Sequence, residues 1–154
     1  MTEYSFATLP RWAEKVEKIA NAVVSQATND MLVSIKVKDG TVRGGTREKG
    51  VIPLMDGALA GSLQSSLYGS TSMNGEGKGS YVLVAGAMKA GDVARFSWGG
   101  AAAPHAMRQH YGFNGTDSLG RTYNQEGTFW IDVAAAGWQG YVKGAVRKAK
   151  AEIQ

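Results

Sequence analysis

The chain has 154 residues, enough for one domain that buries roughly two-thirds of its unfolded surface, and 44% of them are apolar. It has no cysteine, which excludes disulfides, thiolate metal sites and a cysteine nucleophile. Its net charge of +4, from 17 basic against 13 acidic residues, lacks the dense aromatic-interleaved stripe of a dedicated nucleic-acid binder.

No stretch approaches the roughly 20 apolar residues of a membrane span. Residues 1–6 carry Glu3 where a secretory signal has lysine or arginine, and no apolar run follows. Glycine is the compositional outlier, with 21 residues and no fixed period, so collagen-like and repeat architectures are excluded.

The first element is a long amphipathic helix over about 10–34. Pro10 suits a first turn. Trp12, Val16, Ile19, Ala20, Val23, Ala27 and Met31 recur at three- and four-residue spacing and are expected on a core-facing stripe. Residues 39–52 (DGTVRGGTREKGVI) are glycine- and charge-rich and read as a long loop or loose hairpin. Arg43, Arg47 and Lys49 there suit an acidic partner or phosphate. No GxxxxGK[ST] loop is present to cradle nucleotide.

In 53–67, Asp56 is a candidate N-cap, and Leu59, Leu63 and Leu67 step by four; alternatively the stretch after Ser62 is already a strand. Two strands are expected at 81–85 (YVLVA) and 93–98 (VARFSW), with turns at 74–79 and 89–92, together an antiparallel meander. Residues 101–115 read as a connecting turn or short helix, and 114–127 as a second long loop. A second long helix over about 128–153 closes the single domain, 1–154. Its Phe129, Val133, Ala136, Gly140, Ala145 and Ala149 share much of one face. Gly140 and Gly144 are expected to admit close helix packing, because each glycine costs about 1 kcal/mol in helix propensity that close approach must offset. The fold expected is α+β: a long N-terminal helix, a small antiparallel meander, and a long C-terminal helix packed on the sheet.

Chemistry-bearing constellations are scarce. His105 and His110 lie five residues apart, about 140° around a helix, and so do not share a metal-binding face. No carboxylate pair converges in sequence, and no GxSxG nucleophile elbow occurs. The expectation is a non-enzyme with no cofactor.

Three features in order resemble the neck or tail-completion proteins of long-tailed bacteriophages, of the minor tail protein Z type. Residues 53–63 (PLMDGALAGSL) are similar to that family's P-V-D-T-G-x-L-R-x-S-I, with Met55 and Ala60 where the family has Asp and Arg. Residues 104–112 (PHAMRQHYG) are similar to P-Y-A-x-Y-x-E-Y-G, with His105, Arg108 and His110 in place of Tyr, Tyr and Glu. Phe129-Trp130 opening the last helix resembles the family's final element.

The resemblance implies a structural virion protein, assembled in the host cytoplasm, in a ring (a hexamer would satisfy it) that joins the capsid connector to the tail tube. Its partners would be its own copies, the head-closure or connector protein, and the tail terminator or tail-tube protein. Packaged DNA would pass nearby without specific recognition, and no membrane is involved. Arg43, Arg47, Lys49, His105, Arg108 and His110 are then the expected partner contacts, and the charged and polar loops would order on assembly. A tail-terminator ring, and a basic nucleic-acid-binding module using the 43–49 cations and the C-terminal lysines, remain alternatives.

Overall fold

A computed structural model of the chain describes residues 9–37, 47–53 and 57–153. In chain order it contains α1 (Leu9–Ser34), α2 (Ala58–Gly61), β1 (Gln64–Tyr68), β2 (Met73–Glu76), α3 (Ser80–Ala87), β3 (Val93–Ser97), α4 (Ala106–Tyr111), β4 (Gly112–Thr116), β5 (Thr122–Glu126), α5 (Trp130–Ala136) and α6 (Trp138–Glu152). The α+β class read from sequence is the class observed.

Strands β1, β2 and β3 form an antiparallel sheet in the order β2-β1-β3, with Ser66 of β1 opposite Asn74 on one side and Arg95 on the other. Ser65 and Leu67 of β1 are buried, while Gln64 and Tyr68 are exposed, the alternation of a sheet covered on one face. Helix α3 covers that face, and the buried hydroxyls of Ser65 and Ser80 hydrogen-bond across the contact at 2.7 Å. The core gathers Leu32, Ile35, Ile52, Leu59, Leu63 and Tyr81 around Trp130, which is 1% exposed. Trp130 meets Trp98 edge to face at 6.3 Å between ring centroids. Segment 47–53 is stitched into this core by hydrogen bonds from the Ile52 N–H to the Ile35 carbonyl (3.0 Å) and from the Gly50 N–H to the Thr128 carbonyl (2.6 Å).

Five expectations need correcting, the first being the turn at 74–79: residues 74–76 are part of β2, paired with β1, and only 77–79 turn into α3. Residues 81–85 belong to α3, not to a strand. Tyr81, Val84 and Ala85 are buried while Val82 and Leu83 are exposed, a three- and four-residue pattern that overrides the β propensity of the valines. Residues 114–127 form most of a hairpin rather than a loop: β4 pairs with β5 in a sheet of their own, with Phe113 opposite Gln125 and Gly115 opposite Tyr123.

The C-terminal helix is interrupted at Gly137, and α6 packs along α1 rather than on the sheet. Ala145 and Ala149 are its buried residues, whereas a side chain at Gly140 or Gly144 would meet nothing within 4 Å among the described residues, so neither glycine serves close packing there. Finally, the α1 stripe is core only in its second half. Ala27 is buried, but Trp12 is 64% exposed and Val16 is exposed with it. Asp56, the candidate N-cap, lies outside the described residues; Leu59, Leu63 and Leu67 are all buried, and the strand alternative after Ser62 is the one realised.

Candidate functional site

The expected partner contacts fall into two groups, and the fold brings the described members together. Arg43 lies outside the described residues. Arg47 reaches helix α4, where its guanidinium donates to the Gln109 side-chain oxygen and, at 2.9 Å, to the Gln109 carbonyl. The same side-chain oxygen accepts a 3.2 Å hydrogen bond from Gln125 of β5, so buried Gln109 joins the 47–53 segment, α4 and the hairpin. Sequence reading missed Gln109, which occupies a variable position in the motif; only its place inside a helix flanked by expected contacts could have signalled it. Burial pushes the Arg47 guanidinium below its ordinary pKa, and its Nε has no partner among the described residues.

Arg47 and Lys49 line an open cleft of about 630 Å³ together with Tyr111, Asn124, Glu126 and Phe129. Lys49 is exposed at its rim. The walls mix one carboxylate, two cations, amides and three aromatic rings, those of Tyr111, Phe113 and Phe129, with no nucleophile–base pair among the described residues. Arg108 is engaged within the chain: its guanidinium carbon sits 4.3 Å from the centroid of the Phe113 ring, a cation–π contact that ties α4 to β4.

The two histidines take different roles. His105 precedes α4 and is half-buried, with Nε2 unpartnered among the described residues. His110 is 4% exposed and packs edge-on against Trp130 (4.7 Å) and Tyr111 (4.5 Å). Its Nε2 accepts the Ile131 N–H at 3.3 Å. Phe129, the N-cap of α5, adopts a left-handed φ of 49° and offers no side-chain cap, so His110 supplies an acceptor that the helix start needs. Burial holds the His110 pKa below its ordinary value, and the charge of Asp132 only partly opposes it. His110 is therefore a neutral packing and capping residue, not an exposed partner contact.

Two further surfaces stand apart from this cluster. One is the start of α1, where Leu9, Trp12 and Val16 are exposed on one face. The other is the tip of the hairpin, residues 117–121, which carries Leu119 at 75% exposure. Among the described residues no group of three or more histidines, cysteines or carboxylates is arranged to hold a metal, and no helix is long and apolar enough to cross a membrane. Compared with protein-family models, with curated proteins and with solved structures, the chain matches none, so its functional reading rests on its own residues.

Proposed function

We propose that this chain is a structural subunit that assembles with its own copies and with neighbouring proteins into a ring, of the kind that joins the capsid connector to the tail tube in long-tailed bacteriophages. The supporting observation is the start of α1. Leu9, Trp12 and Val16 have the spacing of a core-facing stripe, yet every residue from 9 to 18 is exposed. Covering Trp12 alone would contribute about 3 kcal/mol in apolar burial, a gain absent in the single chain. Contiguous apolar surface of this kind marks an interaction site.

The phage assignment itself rests on the motifs at 53–63 and 104–112. The residues that carry them have structural duties here: Leu59 and Leu63 are fully buried, and the Ser62 hydroxyl donates to the Leu59 carbonyl (2.6 Å) and accepts the Gly99 N–H (3.0 Å). A tail-terminator ring belongs to the same class of subunit. A nucleic-acid module has less support, because Arg47 and Arg108 are engaged within the chain at Gln109 and Phe113. Mass spectrometry of purified tailed particles tests the reading: the chain should copurify with capsid and tail proteins at a fixed multiple-copy ratio, and its absence from intact particles would overturn it.

A further inference from the structure

We propose that the β4–β5 hairpin is an arm that one copy of this chain inserts, Leu119 first, into an apolar cleft of the next copy. The proposal rests on the ring reading above and names the contact that would connect neighbours.

The hairpin is a two-stranded sheet with no third strand among the described residues, an arrangement that is marginal in water unless something holds it. Its base is held by close approach. Gly112 has a φ of 88°, and a side chain at Gly127 would collide with the His110 carbonyl oxygen, so the two strands leave the body in a fixed direction. Its tip is held by Asp117. That carboxylate accepts the backbone N–H of Leu119 and of Arg121 (both 2.9 Å), the Arg121 Nε–H (2.7 Å) and the Tyr123 hydroxyl (3.1 Å). The Arg121 N–H and guanidinium, with the Tyr123 hydroxyl, pull the Asp117 pKa down to about 2, so the lock stays closed at neutral pH. A tip ordered in advance loses little conformational freedom on docking, and this ordered tip presents a leucine to solvent.

The receiving surface lies between α1, β3 and α5. A cleft of about 160 Å³ is lined by Met31, Ile35, Phe96, Trp98, Ile131 and Ala135. Apolar cavities of about 150 Å³ take up a single benzene-sized group, which is the scale of one leucine side chain. Charge matches as well as size. Two residues beyond Leu119, Arg121 uses Nε on Asp117 and keeps its terminal nitrogens outside that bond, with its side chain 63% exposed. Next to Ile131 on α5, the exposed Asp132 offers its carboxylate to solvent. Leucine into cleft and Arg121 toward Asp132 form one two-point contact.

Arm and cleft are different surfaces, so the contact is head to tail and repeats from copy to copy until a ring closes. A tip of five residues covers far less than the roughly 800 Å² per partner of a stable pair, so the contact is weak singly and gains from closure. Because the chain has no cysteine, disulfide trapping reads it cleanly.

Leu119→Cys and Ala135→Cys, both at exposed positions that leave the core intact, are made in separate full-length chains, mixed and oxidised. A covalent 119–135 dimer should form about tenfold faster than in a mixture of Leu119→Cys with Leu83→Cys, an exposed control on α3. Sedimentation of the same mixtures separates the failures. Oligomers without preferential 119–135 trapping would overturn the arm-and-cleft contact and leave the ring reading standing. Monomers without trapping would overturn both. A Ser118→Cys arm should also trap the Ala135→Cys chain, and adding Leu119→Asp to that arm should abolish the trapping while leaving its melting temperature unchanged. Trapping that survives Leu119→Asp would overturn the insertion of the leucine.

Discussion

His110 illustrates how a residue with obvious chemical potential is absorbed by the fold. Its ring fills space between Tyr111, Phe129 and Trp130, and its Nε2 lone pair caps α5, which requires the neutral form. The folded pKa lies below the unfolded value of about 6.5, so this contribution to stability is complete above that pH and is lost as pH falls through the folded pKa. Asp92 and Asp117, also held below their usual range, lose their stabilisation only in more acidic solution, which separates the two effects. We expect the denaturation midpoint to fall between about pH 7.5 and about pH 5.5. His110→Phe, which keeps an aromatic ring but no acceptor, should flatten that dependence and cost about 1 kcal/mol at neutral pH. A variant with the same pH slope as the natural chain would show that His110 is not the titrating group.

At the scale of elements, some features are legible in the sequence and others are hidden for identifiable reasons. The span of α1 and the strand at 93–97 follow from spacing and punctuation alone, while for 101–115 the sequence leaves a turn or a short helix open and the fold realises the helix at 106–111. Helix α3 is obscured because valine and tyrosine favour strands; its three- and four-residue burial pattern emerges only with the sheet beneath it. The hairpin is obscured because Gly, Asn, Thr and Gln fill its strands. Its order comes from Asp117, a turn residue whose partners converge only in three dimensions.

Gly140 misleads because a small residue in a helix signals close packing or nothing, and the neighbour decides. With nothing among the described residues within 4 Å of a side chain there, Gly140→Ala should stabilise by up to about 1 kcal/mol, raising the melting temperature by roughly 2–4 °C. A lower melting temperature would mean that this face is packed after all.

For the molecule as a whole, lengths determine what is left uncovered. Helix α1 has 26 residues and is about 39 Å long, whereas α6, which packs along it, has 15 and is about 22 Å. The core therefore ends partway along α1, and the apolar stripe continues beyond it with Trp12 outside. No sequence pattern carries that information, because the stripe is continuous and only the reach of its neighbours divides it. The candidate contacts are legible in part. The 47–49 segment and α4 do meet, through Gln109, but Arg47 and His110 serve the fold, while Trp12 and Leu119 face outward.

The claim that this chain functions by self-assembly is tested most directly by its mass in solution as concentration rises. The natural chain should form oligomers whose light-scattering mass increases with concentration toward a closed, discrete species. Trp12→Ser, at a position 64% exposed, should keep the melting temperature and weaken that assembly by about tenfold or more. A natural chain that stays monomeric at every concentration, or a Trp12→Ser chain that assembles unchanged, would contradict the account.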